Sequence, residues 1–226
     1  MKERGMIFNG EMTRAILDGR KTQTRREVKL NLDIASLATT YDWATSLAAN
    51  HYQGLTEEQI QQKAESLRGV IHPVILGNGQ MVSIICPHGK PGDRIWVRET
   101  FCPVDDTQYG GEKWVDYRAT PKFEASYPAG WDSAPNDAEA LKWRPSIHMP
   151  RWASRILLEI TDVRVERLRS MSQDDARAEG VIAASGPMEA GLAFRELWDS
   201  IYGEESWKAN PWVWVIEFKR VEGGAA

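Results

Sequence analysis

The chain has 226 residues, of which 42% are hydrophobic, and its formal net charge is −4. This length is sufficient for a buried core, and the acidic balance disfavours a protein that coats nucleic acid through nonspecific contacts. Two cysteines, Cys86 and Cys102, are too few for a disulfide framework. No apolar leader follows the first residues, and no apolar run approaches the ~20 residues of a membrane span. We therefore expect a cytoplasmic protein without a membrane segment.

Hydrophobic periodicity and turn residues predict the elements in chain order. The first part of the chain is predicted to form a helix from Asn9 to Gly19, a strand beginning within 22–26, a mostly helical region over 31–69 with a capped start at Thr56, and a hairpin over 70–85. The middle part is predicted to form a strand over 94–99 and a long loop over 103–142 that contains one strand at 114–118. The last part is predicted to form a strand over 155–167, a short helix from Ser172 to Gly180, a helix around 192–201 and a buried strand over 212–218. Strands dominate the two ends of the chain. This order favours an α+β mixed barrel in one domain over an alternating βαβ array.

Several familiar site types find no support in the motifs. Cys86, His88, Cys102 and His148 lack the paired close spacing of a structural zinc site, so no metal is expected. The chain has neither a glycine-rich phosphate loop nor a GxSxG nucleophile elbow. Nucleotide triphosphatase and serine hydrolase activities are therefore not expected, and no cofactor is predicted.

A basic segment follows the first predicted helix, with Arg20, Lys21, Arg25 and Arg26 surrounding Thr24. Cations at the end of a helix complement its negative dipole end, and that structural role alone explains basic residues here. It does not explain a lysine and a threonine placed together among arginines. Neighbouring positive charges lower a lysine pKa from its usual value of ~10.4, and a neutral amine can act as a base. Lys21 and Thr24 are therefore candidate catalytic residues.

A second segment combines a well-explained helix start with a poorly explained helix end. Ser172 and Asp175 have the spacing of a capping box, which accounts for both residues structurally. Glu179 lies in the last turn, where a carboxylate opposes the negative end of the dipole. A residue that violates a local rule is a candidate functional residue, although a solvated surface glutamate explains the same pattern.

Four stretches of the sequence resemble the ASCH-domain family. Residues 19–26 are similar to its GRKTxTxR motif, and residues 168–180 resemble the stretch that ends in a glutamate-bearing helix. Residues 91–97 are similar to the family's GD-plus-strand element, and residues 212–218 are similar to its closing strand. The resemblance covers residues 8–26, 90–99 and 155–220, a little under half of the chain.

The resemblance implies a PUA-like mixed β-barrel with short flanking helices, formed by residues 1–226 as a single domain. Compact members of the family are much shorter than this chain, so residues 27–80 and 103–150 are expected to be insertions. Residues 148–155 resemble a stretch found in longer, phage-type relatives.

Small bacterial members of this family hydrolyse N4-acetylcytidine with a lysine, a threonine and a glutamate. The resemblance gives these roles to Lys21, Thr24 and Glu179. Lys21 would deprotonate Thr24 or a water molecule held by it, while Glu179 would orient Lys21 or transfer a proton to the cytosine. The expected partner is a modified nucleoside, and the three catalytic side chains are expected to lie within direct or one-water hydrogen-bonding reach of each other.

Three further residues are candidates for substrate binding. Arg26 and Arg151 would bond the sugar or a phosphate, and Trp152 would stack on the base. A packed core position explains Trp152 equally well.

Two other functions are consistent with the sequence. The first is an RNA-binding PUA-like module, with or without ribonuclease activity, that would use Arg144, Arg151 and Arg155. The second is a phage-associated protein whose inserted segments bind another protein and whose pocket has no chemistry.

Overall fold

The computed structural model describes residues 1–29, 33–37, 54–105, 107, 112–122, 142–182 and 189–221. Its strands are β1 (Glu3–Ile7), β2 (Gln23–Glu27), β3 (Ile34–Leu37), β4 (His72–Leu76), β5 (Met81–Ile84), β6 (Arg94–Arg98), β7 (Phe101–Asp105), β8 (Lys113–Tyr117), β9 (Leu157–Arg167) and β10 (Trp212–Arg220). Its helices are α1 (Gly10–Leu17), α2 (Glu57–Leu67), α3 (Gln173–Ala178), α4 (Ala190–Tyr202) and α5 (Glu204–Ala209). Short 3-10 turns lie at Ser146–His148, Arg151–Ala153 and Leu168–Ser170. The fold is α+β, with mixed sheets and separate helices.

A five-stranded sheet in the order β1-β6-β9-β10-β2 forms the centre of the fold. The β1–β6 pair is parallel, and the other three pairs are antiparallel. The side chains of β10 alternate between two cores, as the two-residue period of a strand requires. Trp214 and Ile216 pack into the larger core, whereas Val213 and Val215 pack against the cluster formed with α3 and α4.

The central sheet is curled, so that its two edge strands approach each other. Arg26 on edge strand β2 donates from Nη2 to the carbonyl of Ile7 on edge strand β1, at 2.6 Å. The Arg26 guanidinium also lies 5.4 Å from the centre of the Phe8 ring. The hydrogen-bonded strand order remains open among the described residues, because no backbone pairing joins β1 to β2.

The helix ends follow the capping chemistry of the sequence. The Asn9 side chain accepts the amide of Met12 at 2.8 Å and starts α1, and Gly19 (φ +74°) ends the turn that follows it. Capping boxes at Thr56 and Ser172 start α2 and α3. The first helix, the hairpin over 70–85 and the strands predicted at 94–99, 155–167 and 212–218 are confirmed.

The inserted segments differ from the sequence prediction at two strands, β3 and β7. The region over 31–69 contains strand β3, and α2 is the helix described within it. The region over 103–142 contributes β8 and the end of β7, which pair as a hairpin where one strand was predicted. Both β3 and β7 are short strands stabilised by a neighbour rather than by an alternating pattern of their own. Much of both segments lies outside the described residues.

Among the described residues, no helix has the length and apolar character that crossing a membrane requires.

Candidate active site

Backbone contacts bring the two ends of the chain together at Lys21 and Glu179. These residues form an isolated antiparallel β-bridge, and the amide of Thr22 donates to the carbonyl of Ala178 at 2.8 Å. Glu179 is the C-cap residue of α3, and Lys21 follows the turn at Gly19. The dipole misfit of Glu179 therefore has a local explanation, because its side chain leaves the helix for a cation on another segment.

Lys21 and Glu179 form a buried ion pair. Lys21 Nζ donates to Glu179 Oε2 at 2.6 Å and to the Glu179 carbonyl at 2.9 Å. The two side chains are 0% and 1% exposed, so the pair is shielded from solvent and its electrostatic interaction is strong. The interpretation of Glu179 as a solvated surface residue is wrong.

Arg25 holds the second oxygen of the same carboxylate. Arg25 Nη1 donates to Glu179 Oε1 at 3.1 Å, and Nη2 donates to Glu166 Oε1 at 2.6 Å and lies 3.4 Å from Asp175 Oδ1. The Arg25 side chain is fully buried. Sequence reasoning treated this arginine only as a neighbouring charge. The missed signal was the two-residue spacing of Lys21, Gln23 and Arg25, whose side chains all bond to residues of α3 or to its C-cap residue Glu179.

Burial is the main cause that lowers the pKa of Lys21 below its ordinary value of 10.5. The Glu179 carboxylate opposes this shift, while the charges of Arg26 and Arg25 add to it. The expected contribution of Arg20 is absent among these causes. Arg20 instead donates to Asp18 Oδ2 at 2.9 Å and to the Gly180 carbonyl at 2.6 Å.

A small cavity of about 20 Å³ lies where β2 meets α1 and α4, and Thr24, Arg25, Arg26 and Glu179 all contribute to its wall. This volume is sufficient for one water molecule. Among the described residues, the Thr24 side chain makes no direct hydrogen bond to Lys21 or Glu179. The predicted direct convergence therefore holds for Lys21 and Glu179, and Thr24 joins them by sharing this cavity with Glu179.

The two arginines of the small cavity retain unused hydrogen-bond donors. The Nε atoms of Arg25 and Arg26 are buried and have no hydrogen-bond partner within the described part of the chain. A buried donor without a partner costs free energy, and such groups in native structures commonly mark sites of catalysis or of bound water. The small cavity therefore combines a hydroxyl, a carboxylate and two available N–H donors.

A larger cavity of about 590 Å³ lies between α1 and α4 and shares Met12, Glu179 and Leu197 with the small one. Its polar lining has four carboxylates and two guanidinium groups, from Glu11, Asp18, Glu179, Glu196, Arg14 and Arg20. Both arginines are already engaged, since Arg14 Nη1 donates to the Ala119 carbonyl at 3.1 Å and Arg20 bonds as described above. Glu179 is part of the wall of both cavities, whereas Lys21 lies behind it and reaches neither.

Gly180 permits the close approach of the two segments. Its φ is +87°, a conformation that side chains rarely adopt. A Cβ atom at this position would lie 2.7 Å from Ala15 Cβ and 2.8 Å from Lys21 Cβ. The glycine that ends the predicted helix is thus also a packing requirement of the site.

The remaining candidate residues lie elsewhere. Arg151 Nε donates to Glu3 Oε2 at 3.0 Å, and Glu3 is separated from the Ile7 end of β1 by roughly 13 Å at ~3.3 Å per residue. Trp152 is 69% exposed, so the packed-core interpretation is wrong. Arg26 is therefore the candidate substrate-binding residue that lies beside Glu179.

The arginines proposed for RNA binding are mostly neutralised. Arg155 makes a bidentate pair with the buried Glu99, with both bonds at 2.9 Å, and Arg151 is paired with Glu3.

The described residues contain no cluster of three or more His, Cys, Asp or Glu side chains arranged to hold a metal ion.

In comparisons with protein-family models, with curated proteins and with solved structures, no match to this chain was found.

Proposed function

We propose that the protein is an amidohydrolase that removes the acyl group from N4-acetylcytidine or a related N4-acylated cytosine nucleoside, on a PUA-like barrel. One observation carries the proposal, namely the buried Lys21–Glu179 pair, whose Glu179 belongs to the walls of both a large cavity and a small one that contains Thr24. Coupled buried groups with a perturbed lysine are typical of catalytic sites.

The reaction breaks the amide C–N bond, adds the hydroxyl of water to the acyl carbon and returns a proton to the cytosine N4. It needs an activated nucleophile, donors for the oxyanion and a proton source. Thr24, or a water molecule beside it, is the proposed nucleophile. The Nε–H groups of Arg25 and Arg26 are available to the oxyanion.

Glu179 is the proposed group that exchanges the proton with substrate, because it contributes to both cavity walls and Lys21 does not. Lys21 can receive that proton through the 2.6 Å contact, since burial lowers its pKa. This assignment reverses the sequence-based expectation, in which Lys21 met the nucleophile directly.

The large cavity suits an uncharged nucleoside. Its volume lies within the ~300–1,000 Å³ range of small-molecule sites. Carboxylates such as Glu11 and Glu196 can accept the hydroxyl hydrogens of a ribose, whereas both arginines of the lining are engaged by protein oxygens. A phosphate would meet an excess of negative charge.

The test is release of cytidine from N4-acetylcytidine by the purified protein, followed by chromatography. We expect turnover by the wild-type protein and a loss of about 100-fold or more for Lys21→Met, as is typical when proton transfer is removed. Lys208→Met is the matched control, because Lys208 is an exposed lysine on α5. The proposal fails if folded wild-type protein leaves a panel of N4-acyl cytidines intact.

A further inference from the structure

A second groove lies on the opposite side of α4 from the large cavity and has the opposite charge. It encloses about 460 Å³ and is bordered by Arg169, Met171, Gln173, Leu192, Arg195 and Trp207. Two of these side chains are cationic, and no carboxylate belongs to the described lining. The groove is therefore suited to an anionic ligand.

The two arginines of the groove differ in their availability. Arg169 is exposed, and its guanidinium has no ion-pair or hydrogen-bond partner within the described parts of the chain. Arg195 lies 6.0 Å from the centre of the Trp207 ring, and its Nε is 3.5 Å from Asp199 Oδ2. The nearest acidic residues of α5, Glu204 and Glu205, are both paired with Lys208. Arg169 therefore supplies positive charge that no described acidic residue neutralises.

The groove also has aromatic and apolar surface beside its cations. Leu192 is 61% exposed, and Met171 and Trp207 are half-buried. The Gln173 side-chain oxygen accepts the Gly191 amide at 3.1 Å, which leaves its amide nitrogen with donors for a polar ring edge. A bare phosphate would use only the arginines, whereas a ligand with a flat ring and an anionic group would use both kinds of surface.

We propose that this groove binds a nucleoside phosphate. The base would lie against Trp207, Leu192 and Met171, and the phosphate would accept charge-assisted hydrogen bonds from Arg169 and Arg195. This site is distinct from the proposed amidohydrolase cavity and does not depend on that activity. The same chemistry is presented by a free mononucleotide and by one unit of a single-stranded RNA.

The test is isothermal titration of the full chain with CMP, cytidine, inorganic phosphate and a five-nucleotide oligocytidylate. CMP carries no acyl group, so the measurement is independent of turnover. We expect CMP to bind at least about tenfold more tightly than either cytidine or phosphate, which corresponds to about 1.4 kcal/mol. Arg169→Gln should weaken CMP binding by about tenfold through loss of one charged contact.

Two further variants separate the parts of the site. Leu192→Ser should weaken binding of CMP and leave binding of phosphate unchanged. Arg220→Gln is the control, since Arg220 is an exposed arginine at the far end of β10. Tighter binding of the oligocytidylate than of CMP would identify single-stranded RNA as the ligand of the groove, and equal binding would identify a free mononucleotide. The proposal is overturned if phosphate binds as well as CMP, if CMP does not bind, or if Arg169→Gln binds CMP like the wild type.

Discussion

The acid-lined cavity and the arginine-lined groove are built on one helix. In α4 the buried side chains are Ala190, Phe194 and Trp198. The cavity takes Ala193, Glu196, Leu197 and Ser200, whereas the groove takes Gly191, Leu192 and Arg195. The spacing of each set follows the helical period of 3.6 residues. A helix with Glu196 on one face and Arg195 on another can therefore border two sites of opposite charge, and the net charge of −4 for the whole chain indicates neither site.

The two regions also differ in how their charges are used. In the cavity, the cations are engaged by the protein, since Arg20 and Arg14 both bond to protein oxygens. In the groove, Arg169 remains solvated and available. Buried, paired charges are organised for proton transfer, and exposed, unpaired charges are suited to holding a ligand.

The largest effect is expected from breaking the buried pair. Lys21→Met or Glu179→Gln should each lower the free energy of unfolding by about 3 kcal/mol, because an uncompensated buried group remains. The double variant should be more stable than the sum of the two losses predicts. Urea denaturation measures all three, and CMP binding in the groove should survive in each folded variant. Strictly additive losses would contradict a coupled pair.

The second effect concerns Gly180, where steric and conformational costs combine. Gly180→Ala should lower the free energy of unfolding by about 3 kcal/mol, in part from its positive φ and in part from overlap with Ala15 and Lys21. Gly92→Ala is the matched control, because its φ is +84° and nothing lies within 4 Å of the added Cβ. It should cost about 1 kcal/mol. Equal losses for both variants would show that the site tolerates a wider approach.

A smaller effect tests the charge of the cavity. The protein should remove the acyl group from N4-acetylcytidine 5′-monophosphate with a kcat/KM about tenfold below that for the nucleoside. The reason is that a phosphate dianion near carboxylates is disfavoured. Glu196→Gln should reduce this difference, since it removes one of the opposing charges. Steady-state kinetics at low ionic strength measure both values. A preference for the phosphorylated substrate would contradict the proposed difference in charge between the cavity and the groove.

The smallest effect is a pH dependence of stability from Lys21. Its pKa is lowered in the folded protein, mainly by burial. Between that pKa and 10.5 the unfolded chain retains a proton that the folded protein has lost, so the free energy of unfolding rises with pH across this window. The difference between the wild type and Lys21→Met, measured by denaturation at several alkaline pH values, should therefore increase with pH. If this difference decreased with pH, the attraction of the Glu179 carboxylate would outweigh burial and the pKa of Lys21 would be raised.

The sequence predicted those parts of the fold that have local chemical signals. Asn9, Gly19 and Ser172 fixed helix ends through caps and turns, and the alternation of β6 was visible in its own residues. Strands β3 and β7 lack such signals, because each exists through pairing with a partner. Local rules of this kind are weak where tertiary contacts decide the structure.

The candidate site was predictable in its members and not in its geometry. Lys21, Thr24 and Glu179 were selected from a motif and a dipole misfit, and the structure brings Lys21 to Glu179. The clamp by Arg25 and the position of Trp152 depend on which way side chains point after distant segments meet. The spacing of residues in the sequence does not predict that Glu179 lines the two cavities and that Lys21 does not.

The bridge between Lys21 and Glu179 joins residues 158 positions apart, and it has a consequence for how the protein is made. β2 has its sheet partner in β10, near the end of the described chain. Contacts between such distant segments form late, because a long loop must close before they can contribute. During synthesis, β2 can therefore join the central sheet only after the ribosome has released β10, however much of the protein has already folded.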